Sequence, residues 1–358
     1  MFRFDHAKIA GVAITLGENR RFFDDEPHWY NSDPNLLKRL KKTIGFGTRF
    51  VANEATTTLD LGLDAAARIL KALALEPHDI DAVISVTQTP DYYMPGNAHL
   101  LHEKLGLKKE AFALDVELGC SGFIYGLWLA FMTASNFQGR RILLVVGDTM
   151  SKVCSPLDRA EMPLFCDSAA AMIIERCEKP TASYFVLRSD GTGAKHLYQP
   201  AGAYRTRSSE ATKEQKADKD GNVRSDENFY MNGFEVFNFT LREQPPLLEE
   251  LLSFANATRE EIDYFLIHQG NRYIVEMFAR GAKLPPEKVP ITFPDYGNQN
   301  GASIAGIICA CLSEQLAEAK KEVVMQGFGI GLSYGACRLS LENVIALKPT
   351  IYGGNNES

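Results

Sequence analysis

Three short stretches carry side chains able to do covalent or proton chemistry. Cys120 stands in "LDVELGCSGFIYGL" (114–127), between a run that reads as a strand and an apolar run that reads as a helix. A sulfur at such a helix start meets free N–H groups and the positive end of the helix dipole, which favour a nucleophilic thiolate. The competing reading is a small packed thiol. His268 closes the apolar run of "FLIHQGN" (265–271), just past the carboxyl end of a buried strand, where open α/β sheets place their sites. A lone histidine at a strand end is more often a satisfied surface or core residue, and Asn271 begins the next helix. Asn298, in "DYGNQNGASIAG" (295–306), reads by itself as a turn or cap residue before a small-residue helix.

The elements that must position these residues alternate in type. Residues 7–16 read as a strand, 57–74 as an amphipathic helix, 81–87 as a buried strand, 96–106 as a helix, and "FALDVE" and "RRILLVVGD" as strands around the Cys120 turn and its helix. Alternation of this kind predicts a mostly parallel sheet covered on both faces. "HDIDAVISV" (78–86) is echoed by "EEIDYFLIH" (260–268), which suggests a duplicated αβ unit. At 358 residues with 45% hydrophobic content, the chain is long enough for two packed halves.

Composition excludes several classes of function. A net charge of −7 without a dense basic tract argues against nucleic acid as the main partner. Residues 118–139 carry no charge, but their glycines and polar residues predict a helix buried in a large domain rather than a membrane span. The N-terminus lacks the pattern of a signal peptide, and seven cysteines without framework spacing fit reduced thiols, so a cytoplasmic protein is expected. Cys309 and Cys311, one residue apart on a helix, point to different sides and read as packing rather than zinc ligands, and no metal is expected. Residues 202–228 are charged and lack an apolar period, so an exposed, mobile loop without secondary structure is expected there, and a frayed tail at the C-terminus.

Taken together, "DVELGCSGF", "HQGN" and "YGNQNGAS", in that order, resemble the active-site triad of the β-ketoacyl-ACP synthase III family within the thiolase superfamily. "GFGTRF" (45–50), "GDTMSK" (147–152), "DSAAAMII" (167–174), "MNGFEVF" (231–237) and "GFGIGLSYGA" (327–336) extend the resemblance over nearly the whole chain. It implies a thiolase fold, two βαβαβαββ halves in a five-layer αβαβα sandwich, here residues 1–180 and 181–345 followed by a tail at 346–358. It also implies a homodimer.

The activity so implied is decarboxylative Claisen condensation in fatty acid or specialised lipid or polyketide synthesis. Cys120 would be acylated by an acyl-CoA or acyl-ACP. Backbone N–H groups of Cys120 and Ile330 would form the oxyanion hole, and His268 and Asn298 would stabilise the enolate of malonyl-ACP. Asparagine in place of a second cysteine favours a synthase over a degradative thiolase. Glutamate is absent from Ala82 to His102, which ranks hydroxymethylglutaryl-CoA synthase chemistry low. No cofactor is permanently bound under this reading, and acyl carrier protein is the expected partner.

Further assignments follow from the same resemblance. Met94, with Tyr92 and Tyr93, would gate the acyl pocket across the dimer, and Arg272, Arg280 and Lys283 would dock the acidic carrier. Two positions depart from the family's pattern. Arg39 stands where the family carries a tryptophan against the CoA adenine, with Trp29 further upstream, which makes an ACP-borne donor more plausible. Ile330 replaces the central glycine of the oxyanion loop. The alternatives are a non-condensing acyltransferase that passes the acyl group to an alcohol or amine, and a silent subunit that binds acyl carriers.

Overall fold

The computed structural model describes residues 1–30, 32–136 and 141–354. Two sheets lie face to face with helices between and outside them. The first sheet orders Ile345–Ala346, Ala7–Leu16, Ser168–Arg176, Arg141–Asp148, Ala82–Val86 and Phe112–Val116, with Thr350–Ile351 also on Ala7–Leu16. The second orders Phe2–Phe4, Ser183–Ser189, Ser333–Leu341, Lys321–Gly329 and Tyr264–Ile267.

Duplication is visible in the pairing. In the first sheet Ala7–Leu16, Ser168–Arg176 and Arg141–Asp148 run antiparallel in sequence, and Ala82–Val86 then joins in parallel. In the second, Ser183–Ser189, Ser333–Leu341, Lys321–Gly329 and Tyr264–Ile267 repeat that order and sense. The echoed sequences therefore occupy equivalent strands. The halves are not separate along the chain: Phe2–Phe4 pairs with Ser183–Ser189, whereas Ile345–Ala346 and Thr350–Ile351 complete the first sheet.

Helix Gly122–Asn136 packs on both sheets, as does the shorter Ser303–Ile307. A helix enclosed on two sides must be apolar all round. Its uncharged run is thus a consequence of the central layer, and no helix among the described residues is long and apolar enough to cross a membrane. Thr58–Ala72 and Asn97–Lys104 cover the first sheet, and Gly233–Phe254 covers the second, with Arg272–Gly281 packed beside it. The result is the five-layer αβαβα thiolase fold.

Three expectations are corrected. The sheets are mixed rather than mostly parallel, the second being antiparallel except where Tyr264–Ile267 joins Lys321–Gly329. Residues 202–228 are not a structureless loop. They hold a short helix Glu210–Lys213, whose Thr212 N–H donates to the Ser209 side chain, and a hairpin of Lys216–Ala217 with Val223–Arg224. The Arg224 guanidinium bonds the fully buried Asp158 and also Asp218 at 2.9 Å, and Ser155 donates to the Val223 carbonyl at 2.6 Å. This segment is tied down by polar bonds instead of an apolar stripe, so hydrophobic periodicity has nothing to detect. The tail is likewise ordered further than expected, with Tyr352 N–H donating to the Leu16 carbonyl at 2.9 Å. Its last four residues lie outside the described residues.

Candidate active site

Both central helices begin at one cavity of about 110 Å³, whose lining includes Cys120, His268, Asn271, Asn298 and Ile330. Cys120 sits in the turn between strand Phe112–Val116 and helix Gly122–Asn136. Strand Lys321–Gly329 ends directly over it: a Cβ on Gly329 would come within 2.8 Å of the Cys120 Cβ, so only glycine permits this approach. Ile330 follows immediately, and its carbonyl accepts from Ser333 Oγ at 2.7 Å. Ser333 in turn bonds the buried Ser121 hydroxyl, coupling the Cys120 turn to the Ile330 loop.

His268 follows strand Tyr264–Ile267, is 3% exposed and meets Phe328 edge-on at 5.3 Å. Gln269, fully buried, donates to the Ile267 carbonyl at 2.8 Å and accepts from Thr292 N–H at 2.8 Å, which pins the turn after the strand. Burial pulls the His268 imidazole down to about 4, against the opposing effect of a main-chain hydrogen bond at Asn300. The ring is therefore neutral at physiological pH and offers one N–H without a charge. Asn271 caps helix Arg272–Gly281, accepting from Ile274 N–H at 2.9 Å.

Asn298 comes after Gly297, whose φ of +72° a side chain would strain. Its main chain bridges to Leu164 and Cys166, at 2.8 and 2.9 Å. Asn298 Oδ1 accepts from Asn300 N–H at 2.9 Å. Because a main-chain N–H can only donate, the bond orients the amide and leaves Asn298 Nδ2 as a free donor.

The thiol departs from one expectation. Burial, with the Asp148 carboxyl acting in the same direction and its own N–H opposing both only in part, raises Cys120 to about 12. The resting group is a thiol, so its proton must leave during the attack. Asp148 is itself raised to about 7 by burial, despite accepting from Gln88 N–H at 2.8 Å and Thr87 Oγ1 at 3.1 Å.

The remaining predicted residues lie elsewhere. Tyr92, Tyr93 and Met94 are outside the cavity; Met94 is 74% exposed, and the Tyr93 hydroxyl donates to the Gly202 carbonyl at 2.7 Å. Arg272 is bound to Glu276 at 2.6 Å, while Arg280 and Lys283 edge a separate surface depression. Exposed Arg39, noted for its departure from the family's tryptophan, lies on helix Pro34–Thr43 with exposed Lys38 and Lys42, which the sequence reading did not single out. That helix leads to Ile44, whose carbonyl accepts from Arg272 N–H at 3.0 Å. Gln88 and Asn300 also line the cavity and were missed.

A buried thiol and neutral hydrogen-bonding side chains thus converge on one cavity from the two duplicated halves of a thiolase fold. Comparison with known proteins makes this specific. The profiles described as 3-oxoacyl-[acyl-carrier-protein (ACP)] synthase III and its C-terminal counterpart match residues 114–191 and 252–341. The chain is 33% identical to the beta-ketoacyl-ACP synthase III of Caldanaerobacter subterraneus, covering 88% of this chain and 91% of that one. It is 31% identical to the Streptococcus suis enzyme of the same name, covering 94% and 99%. The crystal structure of a 3-oxoacyl-(acyl-carrier protein) synthase from Burkholderia xenovorans superimposes with a TM-score of 0.91 at 33% identity, covering 98% of each chain. The chain belongs to the 3-oxoacyl-ACP synthase III family and is a condensing enzyme of that family.

Proposed function

We propose that Cys120, His268 and Asn298 carry the condensation as nucleophile and enolate-stabilising pair. The observation that supports it most is their convergence on one cavity from positions spread over half the chain. In the first step the Cys120 sulfur attacks the thioester carbonyl of an acyl-CoA or acyl-ACP. The carrier thiol leaves with the proton that Cys120 gives up. N–H groups of Cys120 and Ile330 stabilise the oxyanion.

In the second step malonyl-ACP loses CO2. The resulting enolate oxygen takes hydrogen bonds from neutral His268 and from Asn298 Nδ2, and its carbon attacks acyl-Cys120. The product is a β-ketoacyl-ACP, and the thiol is regenerated with a proton from solvent. The transfer is of an acyl group, which makes the enzyme an acyltransferase.

The working unit under this reading is a homodimer. Strand Phe112–Val116 closes the first sheet with exposed Leu114, and the exposed Tyr92, Tyr93 and Met94 give a second chain an apolar surface to cover. Carrier docking is assigned to the cationic surface that runs from Lys38, Arg39 and Lys42 to Arg272, with Arg280 and Lys283 beyond it. All seven cysteines are free, which accords with a cytoplasmic setting.

The test is intact-protein mass spectrometry with acyl-CoA and acyl-ACP donors, followed by a malonyl-ACP chase. Adduct formation is expected on the parent protein and not on Cys120→Ala, with discharge as β-ketoacyl-ACP. An adduct that malonyl-ACP leaves untouched would instead support acyl transfer without condensation. Absence of any adduct would support a silent carrier-binding subunit.

A further inference from the structure

Asn300 touches each of the three residues assigned to the chemistry. Its N–H orients the Asn298 amide at 2.9 Å, its Oδ1 accepts from Cys120 Sγ at 3.8 Å, and its main chain lies close enough to His268 to oppose the effect of burial on that ring. A φ of +49° lets one residue turn the chain this tightly, a conformation asparagine tolerates better than most. The side chain is 1% exposed and lines the cavity, yet Nδ2 has no hydrogen-bond partner. Buried donors in folded proteins are almost always paired, so an orphan at the reacting sulfur calls for an acceptor that arrives with the substrate.

The other donors are already assigned. The N–H groups of Cys120 and Ile330 serve the acyl carbonyl, and His268 and Asn298 serve the malonyl thioester. A plain alkyl chain on Cys120 would leave Asn300 Nδ2 unpaired. Nδ2 shares a carbon with the Oδ1 that contacts the sulfur, which brings it within reach of the first carbons of a chain held on that sulfur. Gln88, which also lines the cavity, packs its Oε1 against Gly119, the residue before Cys120, and adds both donor and acceptor character beside the turn.

We propose that Asn300 is the specificity-determining residue of the acylation step, selecting acyl thioesters that carry a hydroxyl oxygen on the second or third carbon over plain alkanoyl thioesters. The proposal rests on Cys120 being the acylated residue. A site built to hydrogen-bond a substrate hydroxyl discriminates strongly against the analogue lacking it, because the buried group is then left unpaired.

The experiment compares initial rates of Cys120 acylation by butyryl and 3-hydroxybutyryl thioesters, each offered on CoA and on ACP, by intact-protein mass spectrometry. The parent protein should favour the hydroxyacyl donor about tenfold or more, close to 1.4 kcal/mol. In Asn300→Gly, which keeps the positive φ without strain, and in Asn300→Ser, the hydroxyacyl-to-butyryl ratio should fall about tenfold whatever happens to each rate alone. A role confined to packing would lower both rates and leave the ratio unchanged, and that result overturns the proposal, as does equal or preferred use of butyryl by the parent. If neither donor labels Cys120, the nucleophile assignment itself fails.

Discussion

The two halves of the molecule repeat one scaffold and present opposite chemistry at the same places. Cys120 precedes the central helix Gly122–Asn136, and Asn298 with Asn300 precedes the central helix Ser303–Ile307. The equivalent strands Ala82–Val86 and Tyr264–Ile267 lead to Gln88 and His268, both on the cavity. The first half contributes the Cys120 thiol, proposed above as the nucleophile, with the ionisable Asp148 beside it, and the second contributes side chains that stay neutral. A duplicated fold thus sets positions, and under the proposed function residue type divides the labour between bond formation and stabilisation of the developing charge.

Mutation should break this division unequally. Cys120→Ala should reduce both acylation and condensation by roughly a thousandfold or more, since no other group forms the covalent intermediate. His268→Ala and Asn298→Ala should each cost condensation roughly a hundredfold, about 3 kcal/mol, while a single-turnover assay still shows acyl-Cys120 forming. Equal loss of both steps would argue that the second half also activates the thiol.

Gly329→Ala tests the seam between the halves. Its new methyl would press on Cys120 Cβ and displace the Ile330 loop, so both steps should slow together, by about tenfold for a weakened oxyanion hole. Steady-state rates with purified, thermally characterised variant separate this from unfolding.

The smallest effect is expected from Asp148→Asn, read as a pH dependence. Asp148 ordinarily titrates near 3.8 and is raised to about 7 by burial, so the folded state holds its proton more tightly than the unfolded chain. Its contribution is therefore complete below about pH 4 and is lost as pH rises through about 7. Urea denaturation at about pH 5 and pH 8 should show a shallower fall in stability for the variant than for the parent. The Cys120 thiol should also titrate lower without that neighbouring carboxylate. An unchanged slope would assign the pH dependence to other groups, with the buried Glu161, raised to about 8, the first to examine.

Much of this was legible in the sequence. Periodicity marked the strands and helices flanking Cys120, the short echo marked the duplication, three motifs in order pointed to Cys120, His268 and Asn298, and the separate stretch "GFGIGLSYGA" pointed to Ile330. Those signals are local, because side-chain period and turn chemistry depend on near neighbours. The residues that escaped notice act through distant partners. Asn300 stood in plain view within "YGNQNGAS", but its contacts with Cys120 and His268 join residues 180 and 32 positions apart, counted from the sequence numbering.

The amino-acid sequence by itself determined most of the element types, the repeat and the candidates for the reactive groups, since these depend on composition and spacing along the chain. Only the tertiary structure decided their states. The enclosure that keeps Cys120 a thiol and His268 neutral, the bond that aims Asn298 Nδ2, and the pairing of Arg224 with Asp158 that docks residues 202–228 all arise from groups brought together by packing. Desolvation and hydrogen-bond direction are properties of that three-dimensional neighbourhood, and a linear pattern does not contain them.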